Sequence, residues 1–238
     1  MRFSDPPVGG PVSRSIRGAV LAGERFRLAA ALAVVVCGVG AAAEDWPQFL
    51  GPERNGVYRG PALVETWPAG GPRVVWRKPV GQGFAGPVVA QGRVIVFHRI
   101  GNNEIVDALD AKTGESQWRY EYPTTYRDDF GFDEGPRSVP VVSNGVVYTY
   151  GAEGQLHAVD LATGRRVWSE DAMRRFNVPK GFFGAAGSPL VEDGRVLANV
   201  GGPKAGVVAF DAKSGKVLWT ATGDQASYSS GVAATIAG

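Results

Sequence analysis

The stretch between residues 121 and 138 carries the densest set of side chains that could bind a ligand. Its sequence is EYPTTYRDDFGFDEGPRS, and four carboxylates lie close together in it: Asp128, Asp129, Asp133 and Glu134. Carboxylate oxygens are ligands that Ca²⁺ prefers, but this spacing matches no known calcium loop. The pattern therefore favours an ordered, solvated loop over a calcium site, and we expect no metal ligands here.

Arg137 is the next-to-last residue of the same stretch, just before the first strand of the second repeat, which is expected to enter the centre of the fold. A guanidinium can hold a carboxylate with two hydrogen bonds or stack on an aromatic ring, and Phe130 and Phe132 are near in sequence. The alternative is a structural ion pair with Asp133 or Glu134, which is slightly preferred. Arg137 is the one candidate ligand-binding residue.

The two histidines, His98 and His157, are isolated in the sequence. Neither has Cys, His or Asp at the spacing of metal ligands, and no Ser-His-Asp set can be assembled around them. We predict ordinary strand positions for both. No catalytic residue is predicted, and the sequence leans towards a protein that is not an enzyme.

A motif repeated three times indicates how these residues are positioned. The pattern Ala-x-Asp-x-x-Thr/Ser-Gly-x-x-x-Trp occurs as ALDAKTGESQW, AVDLATGRRVW and AFDAKSGKVLW, starting at Ala108, Ala158 and Ala209. Spacings of 50 and 51 residues between the copies are typical of repeat architectures.

Each motif is preceded by an apolar hairpin. Turn dipeptides stand between the apolar runs at Gln91-Gly92, Asn144-Gly145 and Asp193-Gly194, and Asn-Gly and Asp-Gly are strong hairpin signals. With two further strands in each motif, a repeat holds four antiparallel strands, which is the sequence form of a propeller blade. The sequence predicts an all-β chain: a β-propeller with three complete four-stranded blades, and the start of a fourth from Ser227.

The motif residues are expected to dock neighbouring blades. A tryptophan at the end of the fourth strand can bury a large apolar area against the next blade, small alanines leave room for a ring, and Asp and Gly form a tight turn. The predicted docking residues are Ala108, Asp110, Gly114, Trp118, Ala158, Asp160, Gly164, Trp168, Ala209, Asp211, Gly215 and Trp219.

The repeat resembles the pyrroloquinoline-quinone (PQQ) type repeat. The residues that carry the resemblance run from Pro140-Val141-Val142 through Asn144-Gly145 to the motif that ends at Trp168, and DWPQFLGPERNGV from Asp45 is similar to a leader of PQQ-like propellers. The family includes quinoprotein alcohol dehydrogenases and the non-enzymatic propeller lipoprotein of the bacterial β-barrel assembly machinery. The resemblance therefore implies the fold and leaves the function open.

The first 43 residues are typical of a secretory signal peptide. Arg14, Arg17, Arg25 and Arg27 precede the apolar run LAAALAVVVCGVG, which is followed by AAAE, and the run is too short for a membrane span. We predict a signal peptide over 1–43, a leader segment over 44–71 and a partial PQQ-like propeller domain over 72–238. The protein is expected to be exported to the periplasm or outside the cell, with no membrane span in its mature part.

The charge of the mature part excludes one class of partner. Without residues 1–43 the chain has 20 basic and 21 acidic residues, so no basic patch for nucleic acid is expected. The only cysteine, Cys37, lies in the predicted signal, so the mature part has no intramolecular disulfide.

Two functions follow from the resemblance. The preferred one is an exported, non-catalytic scaffold or ligand-binding module, whose partner, a protein or a small molecule, stays open. The alternative is part of a PQQ-dependent dehydrogenase that oxidises alcohols or sugars, which would imply PQQ and Ca²⁺. Against it, the mature chain lacks the adjacent cysteine pair of several such enzymes. Because a closed propeller has typically 4 to 8 blades, we expect the chain to be a piece of a seven- or eight-bladed protein.

Overall fold

The computed structural model describes residues 45–236, which contain three four-stranded antiparallel sheets. In every sheet the strands lie side by side in chain order. The first sheet contains β1 (Val88–Ala90), β2 (Arg93–Ile100), β3 (Asn103–Asp110) and β4 (Ser116–Pro123). The second contains β5 (Val141–Ser143), β6 (Val146–Tyr150), β7 (Gln155–Asp160) and β8 (Arg166–Asp171). The third contains β9 (Leu190–Glu192), β10 (Arg195–Gly202), β11 (Ala205–Asp211) and β12 (Val217–Ala221).

These sheets are the blades of a β-propeller, as the sequence predicted. Their first strands are neighbours, because β1 contacts β5 and β5 contacts β9. The helical part of the described residues is a single turn, α1 (Ala172–Arg175), which follows the second blade. The predicted start of a fourth blade, within 227–236, forms no strand ladder in the described part of the chain. The predicted signal peptide, 1–43, lies outside the described residues.

The hairpin turns between the first and second strands have the backbone that their sequences require. Both central residues of each turn have positive φ, with φ between 46° and 75° over the three turns. This is the geometry of a type I′ turn, which Asn, Asp and Gly tolerate best. The turn dipeptides thus set the register of each hairpin locally.

The aspartate of each motif organises the turn between the third and fourth strands. One carboxylate oxygen of Asp160 accepts hydrogen bonds from the amide and the hydroxyl of Thr163, at 2.8 and 2.6 Å. Asp110 and Asp211 bind the equivalent residues in their own blades. These hydrogen bonds lower the pKa of all three carboxyl groups, so the turns are stabilised by the ionised form.

Two of the three motif tryptophans, Trp118 and Trp168, lie against the next blade. Trp168 donates a hydrogen bond from Nε1 to the carbonyl of Ala212 at 2.9 Å, and its ring covers Gly215. Trp118 makes the same contacts with the second blade, through the carbonyl of Leu161 and Gly164. Each tryptophan is the third residue of its strand, not the last as its sequence position suggested.

Trp76 and the motif alanines complete this pattern. Trp76 lies in no strand, yet it contacts Gly114 and donates to the carbonyl of Ala111 at 3.0 Å. Ala108, Ala158 and Ala209 instead pair across the strands with the tryptophan of their own blade. For Trp118 and Trp168, the glycine against the ring therefore belongs to the next blade, and the alanine paired with the tryptophan belongs to its own blade.

The leader segment packs on the inner strands. Trp46 pairs with Val89 of β1 through two backbone hydrogen bonds of 2.8 and 2.9 Å, and the carbonyl of Pro47 accepts from Val142 of β5. Arg54 is buried and donates to the carbonyl of Pro189, just before β9, at 2.8 Å. The leader thus crosses the inner strands of the three blades in order, which covers edges that would otherwise expose unpaired backbone groups.

The interface between the first and second blades contains buried polar groups. The hydroxyl of Tyr122 donates to the carboxylate of Glu104 at 2.6 Å, and that carboxylate also accepts from the amide of Ala152 in the second blade. His157 stacks on Tyr122 with a ring distance of 3.9 Å, and its Nδ1 lies 2.9 Å from the hydroxyl of Tyr120. His157 is therefore part of the interface between blades.

Acid should weaken this interface through His157. Burial, with a smaller effect of the Arg166 charge, lowers the pKa of His157 to about 3. The unfolded chain takes up a proton near pH 6.5, and the folded chain does not. We therefore expect the contribution of His157 to the free energy of unfolding to fall as the pH drops from about 6.5 to 3, by at most about 1.4 kcal/mol per pH unit for one proton.

Urea denaturation of the wild type and of His157→Phe at several pH values measures this effect. Phenylalanine keeps the ring against Tyr122 and removes the titration, so the variant should lose less stability between pH 6.5 and 4. Asp107 titrates in a lower window: burial raises its pKa, but the hydrogen bonds from His98 and Arg119 outweigh burial and bring it to about 2. Equal slopes for the two proteins above pH 4 would contradict the prediction.

Candidate functional site

Six aromatic side chains form a cluster where the chain enters the inner strands. They come from four successive connections: the one before β1, the two between blades, and the segment after β12. We call this cluster the aromatic rim; its members are Phe84, Phe130, Phe132, Phe182, Phe183 and Tyr228. Because every connection leads to the innermost position of the sheet, residues far apart in sequence meet here.

The rings of the aromatic rim contact one another across the connections. The ring centre of Phe130 lies 6.0 Å from that of Phe132, 5.8 Å from that of Phe182 and 5.7 Å from that of Phe183. Phe183 lies 5.3 Å from Tyr228, which follows the third blade. Exposure of these residues runs from 37 % for Phe183 to 74 % for Phe132, so the cluster is an apolar surface open to solvent.

A shallow pocket of about 450 Å³ lies between these rings. We call it the rim pocket; its lining residues are Phe84, Phe132, Arg137, Phe183, Ala186 and Tyr228. Sequence reasoning singled out Arg137 with Phe130 and Phe132, but it missed Phe84 and Tyr228. A usable signal was present in Gly83-Phe84, Gly131-Phe132 and Gly181-Phe182, which repeat a Gly-Phe pair ahead of each first strand.

Arg137 supports the rim pocket from within. Its side chain is 7 % exposed and pairs with the buried carboxylate of Asp128 at 3.3 Å. The guanidinium also donates to the carbonyls of Gly135 and Asp133, and it lies 4.8 Å from the ring centre of Tyr126 and 5.6 Å from that of Phe84. Its ion-pair partner is thus Asp128, and neither the Asp133 nor the Glu134 carboxylate.

Asp128 holds the loop that presents Phe130 and Phe132. One of its carboxylate oxygens accepts from the amides of both residues, at 3.2 and 2.7 Å. The other carboxylate oxygen pairs with Arg137. A single buried ion pair therefore holds the loop to the Arg137 side chain. The structure therefore brings Arg137 together with Phe130 and Phe132, as their spacing in the sequence suggested. The role of Arg137 there is to support the loop that carries the two rings.

The other carboxylates of this stretch also have protein partners. Asp129 pairs with Lys180 at 2.5 Å, Asp133 accepts from the amide of Gly135, and Glu134 pairs with Arg99 and Arg127. Within residues 45–236 no group of three or more His, Cys, Asp or Glu side chains is arranged to hold a metal ion. The acidic loop uses its charges to order the connection.

His98 belongs to a separate buried cluster in the first blade. Its Nε2 lies 3.1 Å from Asp107, and its Nδ1 accepts the amide of Gly81 at 2.8 Å. Arg119 also donates to Asp107. The hydrogen bonds of both the histidine and the carboxylate are therefore made to protein groups. This arrangement anchors the segment before β1 and presents no open position for a substrate.

Comparisons with known proteins concern the family and the fold of this chain. A family model described as outer membrane protein assembly factor BamB matches residues 57–128 and 102–238. The quinohemoprotein alcohol dehydrogenase ADH-IIG of Pseudomonas putida is 34 % identical over 142 residues, which cover 57 % of this chain and 19 % of that protein. BamB of Burkholderia pseudomallei is 28 % identical over 188 residues, or 66 % of this chain and 48 % of that protein.

A solved structure gives the same result for the fold. The quinohemoprotein alcohol dehydrogenase of Comamonas testosteroni is 27 % identical, with a TM-score of 0.52 over 76 % of this chain and 28 % of that chain. The chain thus spans between about a fifth and a half of the length of these relatives. From the repeats, the three blades and the matched residues together, the chain belongs to the PQQ-type repeat family whose model is described as outer membrane protein assembly factor BamB.

Proposed function

We propose that this protein is an exported, non-catalytic propeller module that binds another protein through the aromatic rim. Export is supported by the arginine-rich, apolar start of the sequence and by a family description that names an outer membrane assembly factor. In residues 45–236, no helix is long and apolar enough to cross a membrane.

The observation that carries the proposal is the exposure of the rim. Aromatic side chains, phenylalanine and tyrosine among them, are enriched in protein interfaces relative to the rest of the surface. Pockets for small molecules usually enclose most of the ligand, whereas the rim is shallow and its rings are largely open to solvent. A contiguous apolar surface of this kind is typical of a protein-docking site.

The alternative, a PQQ-dependent dehydrogenase, is favoured by the relatives that are alcohol dehydrogenases and by the aromatic rings beside Arg137. PQQ is a planar tricarboxylate, so its site requires free cationic donors and a divalent ion. Arg137 is buried, and its guanidinium is occupied by Asp128 and two carbonyls. The groups around the rim pocket therefore do not fit PQQ, and we derive no oxidation step from them.

A peptide-binding experiment tests the proposal. Peptides selected from a random library on the wild-type protein should be rich in aromatic and aliphatic residues. Their affinity should fall by about 5-fold or more for Phe132→Ala, because truncating a central interface residue costs more than about 1 kcal/mol. Phe132 is 74 % exposed, so its replacement should leave the fold intact.

Phe49→Ala is the matched control, since Phe49 is an exposed phenylalanine of the leader outside the rim. It should bind the selected peptides as the wild type does. Equal losses for both variants would contradict the proposed docking site. Titration calorimetry that showed a stoichiometric, Ca²⁺-dependent complex with PQQ, weakened by Arg137→Ala, would contradict the non-catalytic function and favour the dehydrogenase.

A further inference from the structure

A second cleft, distinct from the rim pocket, lies between the second and third blades. Its volume is about 340 Å³, and it lies beside residues 178–185, the end of β10 and residues 225–228. We call it the interblade cleft. The backbone at Gly181, Gly184 and Gly201 forms part of its walls. Because glycine has no side chain, the backbone itself borders the cleft at these positions.

The interblade cleft is bordered by one fully buried tyrosine, Tyr150. Its side chain is 0 % exposed, and its hydroxyl has no hydrogen-bond partner among the described residues. Other buried tyrosines of the fold do have partners: Tyr122 donates to Glu104, and Tyr148 donates to the carbonyl of Ala212. A buried hydroxyl without a partner is uncommon in proteins, and each case calls for an explanation.

The protonation state of Tyr150 decides what it can bind. Burial, with a smaller effect of Asp171, raises the pKa of this phenol far above its usual value. The hydroxyl therefore stays protonated and can donate one hydrogen bond to an oxygen of a ligand.

The charges at the cleft indicate a neutral ligand. Lys180 and Asp129 both border it, and they pair with each other, so neither charge is free for a ligand. Met173, Val178 and Ala185 supply apolar wall. A ligand with an apolar body and a single acceptor oxygen matches these groups, whereas an ion would leave its charge without a counterpart.

We propose that the interblade cleft binds a small uncharged organic molecule that has an apolar body and an oxygen accepting a hydrogen bond from Tyr150. The proposed ligand site is distinct from the proposed protein-docking surface at the aromatic rim, although Phe182 and Tyr228 belong to the rim and also border the interblade cleft. Tyr150 comes from the second blade, and Asn199 to Gly201 come from the third, so the ligand would contact both blades.

Binding of 4-fluorophenol and fluorobenzene, followed by fluorine NMR with the full chain, tests the proposal. Both probes should bind the wild type, and 4-fluorophenol should bind more tightly. Tyr150→Phe keeps the ring and removes the hydroxyl, so the affinity for 4-fluorophenol should fall by about 2- to 10-fold, the net value of one hydrogen bond. The affinity for fluorobenzene should stay unchanged.

Two further variants locate the bound probe. Ala226 is exposed and borders the cleft, so Ala226→Trp should block both probes without disturbing the core. Phe132→Ala, in the rim pocket, should leave the Tyr150-dependent binding of 4-fluorophenol intact, even where it abolishes peptide docking. The proposal would be overturned if Tyr150→Phe weakened both probes equally or neither, or if Phe132→Ala alone abolished binding of 4-fluorophenol.

Discussion

Replacement of Trp168 by alanine is expected to lower the free energy of unfolding by about 3 to 5 kcal/mol, the range for deleting a large buried aromatic side chain. Trp168 is 8 % exposed, covers Gly215 of the third blade, and donates to the carbonyl of Ala212. The variant loses the apolar contact, opens a cavity between two blades, and leaves one carbonyl with fewer hydrogen bonds. Urea denaturation measured at neutral pH gives the change directly.

Trp219 is the matched control for this experiment. It has the same place in the third motif, but within residues 45–236 no blade follows it, and its ring is 38 % exposed. Trp219→Ala should therefore cost clearly less than Trp168→Ala, because less apolar area is removed from contact. If the two variants were destabilised equally, the energy would come from packing inside a blade, and the docking role of the motif would be wrong.

Replacement of Gly164 by alanine is expected to destabilise the protein by about 2 to 5 kcal/mol, from two separate causes. Gly164 has a φ of 72°, where a Cβ atom costs roughly 1 to 2 kcal/mol. The added Cβ would also lie 2.8 Å from the ring of Trp118, which must then move away. Overpacking of this kind adds about 1 to 3 kcal/mol.

Gly145 separates these two causes. Its φ is 75°, close to that of Gly164, but a Cβ there would meet no atom within 4 Å. Gly145→Ala should therefore show the cost of backbone conformation alone, and thermal or urea denaturation of the two variants gives the steric cost as their difference. A difference of zero would show that the Trp118 ring can shift freely and that close contact with Gly164 contributes nothing.

The roles of residues whose contacts lie within a few positions along the chain could be predicted from the sequence. The turn dipeptides required positive φ and predicted the hairpins, and Asp160 with Thr163 predicted a hydrogen-bonded turn, because these contacts join residues within a few positions of each other. The period of the motif then gave the strand count of each blade. The aromatic rim could be predicted only in part from the sequence. Arg137 was identified as a candidate binding residue, but its ion-pair partner, Asp128, depends on how the loop folds back.

Long-range positions depended on the arrangement of the blades. Phe84 and Tyr228 lie 144 residues apart and meet in the rim pocket because the inner strands of successive blades are neighbours. The unpartnered hydroxyl of Tyr150 likewise has no signature in sequence, since its surroundings come from two blades.

The sequence by itself determined the repeat, the four-stranded blade and the family, since these follow from local turn chemistry and from a motif that recurs at a constant spacing. Only the tertiary structure decided which glycine receives each tryptophan, how Arg137 is neutralised, and which side chains line the rim pocket and the interblade cleft. The physical reason is that these contacts form between blades, where the packing of whole sheets, and not the spacing along the chain, sets the distances.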